Sequence, residues 1–124
     1  MLIFKTRYFS RWAKKMKVSD LRLATAIAEM EAGLMGAELS KNLYKKRIAL
    51  QTRGKRGGGR TIIIYKKQEK AFFIYGFAKN EKESISTMET EAFKKYGDIL
   101  LNMDQKQLND AIIGREITEV KNEQ

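Results

Sequence analysis

The chain has 124 residues, a length typical of one domain, and it contains no cysteine and no histidine. These absences exclude disulfides, thiolate metal sites and the commonest general base of enzymes. The net charge of +10 is concentrated between residues 41 and 70, where eleven lysines and arginines face one acid, Glu69. Such a segment is typical of proteins that bind a polyanion, and we treat residues 1–124 as a single domain.

The N-terminal third predicts a strand followed by two helices. Residues 2–5 are apolar enough for a short strand, and Phe9, Trp12 and Met16 place an apolar stripe on a helix over residues 7–17. Ser19 is a typical N-cap for a second helix, which ends near Gly33 or Gly36. The two helices form a hairpin that packs through its apolar face.

The middle of the chain predicts three strands. Residues 43–50 alternate, so that Lys45 and Arg47 lie on one face while Lys46 lies on the other with Ile48 and Leu50. Residues 60–67 and 71–79 are apolar on both faces, as central strands are. The glycine-rich stretch between the first two strands predicts a loop, and a tight turn joins the last two.

The C-terminal third predicts two helices. Ser84 or Ser86 caps the first, and Asp104 caps the second, which Gly114 ends. Because short connections favour antiparallel pairing, the order of elements indicates an α+β domain. We expect a small antiparallel or mixed sheet with an N-terminal helical hairpin and C-terminal helices.

No membrane association is predicted. Charges interrupt the apolar residues at the N-terminus, unlike those of a signal peptide, and no segment has the apolar length needed to cross a bilayer. The lack of cysteine is consistent with a reducing compartment, so we expect a cytoplasmic protein.

Residues 53–60, RGKRGGGR, combine four glycines with four cations. Glycine lets the backbone approach a ligand, successive amides can bind an anion, and arginine contacts phosphate oxygens in pairs. The Walker A pattern is absent, which argues against nucleotide hydrolysis of that kind. We expect this segment to bind a phosphate group, the alternative being a flexible basic loop with no specific role.

Two segments, KKRIALQTRGKRGGGRTIIIY and FFIYGFAKNEKESIS, resemble the RelE and HigB branch of bacterial type II toxin–antitoxin toxins. The stretches FKTRYFSRWAKK and LNDAIIGREI extend the resemblance over most of the chain. It implies a RelE-like fold and a ribosome-dependent mRNA endonuclease that inhibits translation. It also implies a neutralising antitoxin, in this branch often a helix-turn-helix DNA-binding protein.

The chemistry of the residues agrees with that implied activity. RNA carries its own nucleophile, the 2′-hydroxyl, so an enzyme has only to orient it, move protons and stabilise the charged transition state, without a cofactor or metal. We expect Lys45, Lys55 or Lys79, with a pKa lowered by neighbouring cations, to remove the 2′ proton. The predicted phosphate ligands are Arg47, Arg56 and Arg60, and the predicted RNA contacts are Lys46, Arg53, Gly57, Gly58, Gly59 and Asn80.

The chain departs from some relatives in its aromatic residues. Those relatives use a histidine or a C-terminal tyrosine as proton carrier or stacking platform, whereas this chain has no histidine and no tyrosine after Tyr96. Tyr65, Tyr75 and Phe77 are candidates for stacking on a base, although core packing is the commoner role at such apolar positions.

Two other functions stay open. ParE-like toxins of the same fold family inhibit DNA gyrase without cutting RNA, and a sparser basic cluster would favour that function. A non-catalytic RNA-binding or ribosome-binding module would share the electrostatics of a nuclease. Alanine substitutions separate the two, because a binder loses affinity gradually whereas a nuclease loses turnover sharply at one or two positions.

Overall fold

The computed structural model describes residues 1–50, 54–82 and 84–121, with the side chains of residues 54–57 excluded. The elements follow in the order β1 (Leu2–Thr6), α1 (Arg7–Met16), α2 (Asp20–Glu31), β2 (Ala37–Ser40), β3 (Leu43–Leu50), β4 (Gly54–Lys66), β5 (Lys70–Ala78), α3 (Thr87–Leu101), α4 (Gln105–Ile113) and β6 (Ile117–Glu119).

The strands form one mixed sheet in the order β2-β3-β4-β5-β1-β6. β4 pairs antiparallel with β3 on one side and with β5 on the other. β1 pairs parallel with β5, and its other edge pairs antiparallel with β6. The α+β class and the mixed sheet are therefore confirmed. The first strand of the chain lies inside the sheet rather than at its edge.

Helices cover both faces of the sheet. On the α1–α2 face, Phe9 and Leu23 are fully buried in a core that includes Ile63 and Phe73. On the α3–α4 face, Leu100 and Leu108 pack with Ile62, Phe72 and Ile117. β4 contributes to both cores, which explains why its sequence is apolar at consecutive positions rather than alternating.

The helix ends follow the predicted caps. The Ser19 hydroxyl accepts a hydrogen bond from the amide of Arg22, and Ser86 forms a reciprocal capping box with Glu89. Asp104 forms a second capping box with Gln107, and Gly114 is the C-cap of α4. Each N-cap side chain supplies an acceptor for an amide that has no partner inside its helix, which explains why the sequence located the starts of these helices well.

The glycine-rich stretch is a strand, so the prediction of a loop is wrong for residues 54–59. β4 begins at Gly54 and pairs with β3 on one side and, from Gly59 onward, with β5 on the other. Glycine has a low strand propensity, but pairing with β3, and from Gly59 onward also with β5, overrides it. Close packing also requires glycine here: a Cβ on Gly59 would lie 3.2 Å from Trp12 Cη2, and one on Gly76 would lie 2.6 Å from Trp12 Cδ2.

Asp20, the first residue of α2, connects three parts of the fold. Its Oδ1 accepts a hydrogen bond from Lys5 Nζ on β1 at 2.6 Å, and its Oδ2 accepts one from the amide of Lys121 at 3.0 Å. Burial acts to raise the pKa of Asp20, but these two hydrogen bonds outweigh it and hold the pKa below the ordinary 3.8.

We therefore expect Asp20→Asn to lower the free energy of unfolding at pH 7 by about 1–2 kcal/mol. Because the folded-state pKa is depressed, the ionised carboxylate stabilises the fold above its ordinary pKa, and this stabilisation is lost as the pH falls through the folded value. The difference between wild type and variant should thus shrink below about pH 4. Urea unfolding followed by Trp12 fluorescence from pH 7 to pH 3 measures the free energy of unfolding of both proteins. A difference that stays constant over this range would contradict the proposed effect of Asp20 ionisation on stability.

Candidate nucleic-acid interface

Cations from neighbouring strands lie together on the α3–α4 face. Arg47 on β3 pairs directly with Arg60 on β4, and Lys45 pairs with Ile62. Arg60 in turn lies opposite Phe77 of β5. Since residues opposite each other in a sheet share a face, these three cations lie on the face that carries the Ile62 and Phe77 side chains.

Lys79 adds a fourth cation at the end of β5. Its amide donates a 3.2 Å hydrogen bond to the carbonyl of Gly58, so Lys79 lies across from Gly58. A Cβ on Gly58 would lie 3.7 Å from Arg60 Nη1 and 3.9 Å from Arg47 Cγ. Gly58 is buried, and the nearest atom to such a Cβ is the carbonyl oxygen of Ile48 at 3.3 Å, so the two arginines pack closely over Gly58. We refer to Lys45, Arg47, Arg60 and Lys79 as the cationic surface.

The cationic surface has no acidic counterpart in the ion-pair network. None of the salt bridges between described residues includes Lys45, Arg47, Arg60 or Lys79. Burial, and then repulsion from the Arg47 guanidinium, lower the pKa of Arg60 from its ordinary value. Arginine nevertheless stays protonated near neutral pH, so Arg47 and Arg60 place two positive charges side by side. The negative charge of a bound phosphate would offset the repulsion between them.

Lys46 does not join the other predicted RNA-binding residues. It lies on the α1–α2 face and is 7 % exposed, with its Nζ 3.0 Å from Glu29 Oε1 and donating to the carbonyl of Leu34. The alternation of β3 already grouped Lys46 with the apolar Ile48 and Leu50. The Lys46 ammonium group therefore links β3 to α2 and to the segment that follows α2.

The other predicted residues fall into three groups. Gly59 faces Trp12 on the α1–α2 face, so its lack of a side chain serves packing. Asn80 is exposed in the turn after Lys79. Arg53 lies outside the described residues, and for Lys55, Arg56 and Gly57 only the backbone within β4 is described.

An aromatic groove of about 510 Å³ lies on the same sheet face, one row beyond Phe77. Tyr75 stacks on Tyr8 with ring centroids 5.5 Å apart, and it also packs against Phe77 and Phe93. Of the three predicted stacking residues, Tyr75 alone lines this groove. Tyr65 and Phe77 are buried, and Tyr65 donates a hydrogen bond to Glu31 on the α1–α2 face.

Tyr8 was not predicted from the sequence, although a signal was present. It lies off the apolar stripe of α1 and is 59 % exposed, unlike the fully buried Phe9 beside it. An exposed aromatic residue next to a basic helical stripe is the kind of position where binding surfaces are found.

Within the part of the chain that the structure describes, no helix is both long and apolar enough to cross a bilayer. Residues 1–50, 54–82 and 84–121 also contain no group of three or more carboxylate, imidazole or thiol side chains arranged to hold a metal ion.

A small α+β fold whose central strands carry an unpaired cationic surface is typical of proteins that act on a polyanion. The family model for the RelE toxin of the RelE/RelB toxin–antitoxin system matches residues 1–120, and the chain belongs to this family. It is therefore a toxin of a toxin–antitoxin system with a cognate antitoxin as partner, and such toxins generally inhibit translation. No curated protein gives a significant match.

Proposed function

We propose that the chain is an endoribonuclease that cuts mRNA on the ribosome, with the RNA 2′-hydroxyl as nucleophile and without a metal ion. The observation that carries this proposal is the Arg47–Arg60 pair, which places two guanidinium groups on one sheet face without a salt bridge to any described residue. Family membership supports it, since RelE toxins are generally endoribonucleases. The resemblance to the HigB branch supports a helix-turn-helix protein as the antitoxin.

The arginine pair would bind the scissile phosphate. Two guanidinium groups contact non-bridging oxygens with paired hydrogen bonds, and they gain most when negative charge develops in the transition state. Gly58 packs beneath the pair, since a Cβ there would lie 3.7 Å from Arg60 Nη1 and 3.9 Å from Arg47 Cγ.

Proton transfer needs groups on opposite sides of the phosphate. The 2′-oxygen attacks phosphorus, its proton passes to a base, and the P–O5′ bond breaks as the 5′-oxygen receives a proton, leaving a 2′,3′-cyclic phosphate. Lys45 and Lys79 lie diagonally across Arg60 on three adjacent strands. At strand spacings of about 3.3 Å per residue and 4.8 Å between strands, their Cα atoms are roughly 16 Å apart.

This separation suits two long side chains that converge on one phosphate from opposite sides. Lys45 and Lys79 are therefore proposed as the pair that exchanges protons with the 2′-oxygen and the 5′-oxygen, in an order left open. Lys55 and Arg56, further along β4, remain candidates for the same roles.

The test is primer extension on a reporter mRNA in a reconstituted translation system, with and without ribosomes. We expect cuts in the translated message alone, and no cuts with an Arg47→Ala/Arg60→Ala double variant. A Lys94→Ala/Lys95→Ala variant, which removes two exposed cations from α3, should cut normally. A 2′-O-methyl group at the cut nucleotide should abolish cleavage of that bond.

The failures are distinguishable. An intact message with translation blocked would replace the nuclease by a non-catalytic ribosome binder. An intact message with translation proceeding normally would refute any action on translating ribosomes, and inhibition of DNA gyrase would then be measured. Cleavage of the 2′-O-methyl message at the modified bond would refute the proposed nucleophile.

A further inference from the structure

The aromatic groove contains a carboxylate without an ionic partner. Among the described residues that line the groove, Glu116 is the one acid, and no salt bridge between described residues includes it. Burial, and then the charge of Glu116, raise the pKa of Tyr96, which lines the same groove. The carboxylate therefore lies close to Tyr96 and is available to accept hydrogen bonds from a ligand.

Aromatic rings form the walls of the groove. Tyr75 stacks on Tyr8 and packs against Phe93 with ring centroids 5.2 Å apart, and Tyr96 adds a fourth ring. The volume of about 510 Å³ lies within the range of small-molecule sites. A flat ligand can pack against these rings while its polar edge meets Glu116. Single-stranded RNA is recognised in this manner, through stacking of its bases and hydrogen bonds to their edges.

The groove lies beside the arginine pair on the same sheet face. Arg60 is opposite Phe77, and Tyr75 is two residues away from Phe77 along β5. Glu116 lies on the far side of β1, where its carbonyl accepts a hydrogen bond from the amide of Arg7. At the usual spacings of a sheet, three strands across and two residues along, the Cα atoms of Arg60 and Glu116 are roughly 16 Å apart. The two side chains span part of this distance, and a nucleotide with its phosphate at Arg60 and its base in the groove spans the rest.

We propose that the aromatic groove binds a guanine base of the message and that Glu116 selects this base. The inference rests on the proposed function, which supplies the message. Guanine presents two adjacent donors, N1–H and N2–H, which match the two oxygens of a carboxylate. Adenine and cytosine present an amino group beside a ring nitrogen that accepts, and uracil presents one N–H between two carbonyl groups. Each of these three bases would place an acceptor against an oxygen of Glu116, which weakens binding.

A phosphate and a protein cation fit the groove less well. A phosphate would be repelled by the Glu116 carboxylate. A lysine or arginine of a partner protein would pair with Glu116 and with the rings, but cations already lie there. Arg7 lines the groove, and the Lys82 ammonium group lies 5.6 Å from the centroid of the Tyr75 ring. A neutral base satisfies the carboxylate through its N–H groups without adding a further positive charge.

The test exchanges the carboxylate for an amide. Glu116→Gln keeps the shape of the side chain but replaces one acceptor by a donor, which matches the edge of adenine rather than that of guanine. Glu119→Gln is the matched control, since Glu119 is an exposed acid of β6 that does not line the groove. Single-turnover cleavage on translating ribosomes is measured for each protein, with messages that carry each of the four bases on either side of the cut.

We expect wild type and Glu119→Gln to cleave guanine messages about 10–100-fold faster than the others at one of the two flanking positions. Glu116→Gln should lose this preference and favour adenine. Wild type without a guanine preference, or the same preference in Glu116→Gln, would overturn the proposal. Unchanged base preferences, together with weaker binding of the cognate antitoxin by Glu116→Gln, would overturn it in favour of a protein cation.

A binding measurement separates this inference from the proposed function. Fluorescence anisotropy with labelled 2′-O-methyl uridine hexanucleotides, which carry one central guanosine or adenosine, requires neither ribosomes nor cleavage. Wild type should bind the guanosine oligomer about tenfold more tightly than the adenosine oligomer, and Glu116→Gln should not.

The two failures then differ. Equal affinities of wild type for both oligomers would overturn the inference even if the message is cut. A guanosine preference combined with an uncut message would refute the proposed function and leave guanine binding in the groove supported. Thermal unfolding of both variants, followed by Trp12 fluorescence, establishes that the substitutions leave the fold intact.

Discussion

Arg60→Ala should lower the rate of the proposed mRNA cleavage by about 10²–10³-fold in single-turnover experiments with saturating toxin–ribosome complex. Arg60 is half-buried, lies opposite both Arg47 and Phe77, and is held in the sheet by β4 pairing on both sides. Its guanidinium is therefore preorganised before the message arrives. Because the charge on the phosphate grows in the transition state, the loss should appear mainly in kcat rather than in ribosome affinity.

Two further substitutions make the Arg60 result specific. Arg60→Lys keeps the charge but loses the paired hydrogen bonds, so its rate should fall between those of wild type and Arg60→Ala. Lys66→Ala removes a cation from the other end of the same strand, where Lys66 forms only an exposed ion pair with Glu69, and should leave cleavage unchanged. Wild-type kcat in Arg60→Ala would remove this residue from the site.

Gly76→Ala should lower the free energy of unfolding by about 3 kcal/mol, the upper part of the range for overpacked cores. Three atoms of the Trp12 indole lie within 2.6 Å of the position that a Cβ would occupy. Neither partner can move easily, because Gly76 is paired with Thr61 of β4 within the sheet and Trp12 lies on a helix packed against the sheet. Urea unfolding followed by far-UV circular dichroism measures the loss.

A double-mutant cycle assigns this loss to the contact. In a Trp12→Leu background the added methyl group meets less obstruction, so the cost of Gly76→Ala should fall by at least about 1 kcal/mol. Gly114→Ala is the matched control, since the nearest atom to its Cβ is a carbonyl oxygen at 3.3 Å and its φ is −76°. Equal costs for Gly76→Ala in both backgrounds would show that the indole is not the cause.

Local chemistry explains which elements were predictable. Ser19, Ser86 and Asp104 mark helix starts through hydrogen bonds to amides three residues away, so a short stretch of sequence contains the whole signal. The alternation in β3 likewise places Lys45 and Arg47 on one face of the strand and Lys46 on the other, which requires no information on tertiary contacts. These predictions depend on neighbours within one turn or one strand.

The features that depend on tertiary contacts could not be predicted from the sequence. Gly59 and Gly76 are glycines because Trp12, many residues away in the chain, packs over them, and this relation has no local sequence signal. The pairing of Arg47 with Arg60 depends on the register between β3 and β4, which strand composition does not specify. β2 and β6 were missed because each is a short edge strand of four and three residues.

The position of β1 also determines how early during synthesis the toxin can complete its fold. β1 is made first, but its neighbours in the sheet are β5, which begins at Lys70, and β6, which ends at Glu119. Such long-range pairing delays folding until nearly the whole chain has left the ribosome. At roughly 5–20 residues per second, synthesis to that point takes on the order of ten seconds. During this interval the nascent chain lacks its complete sheet. The cell can therefore synthesise antitoxin before the toxin is folded.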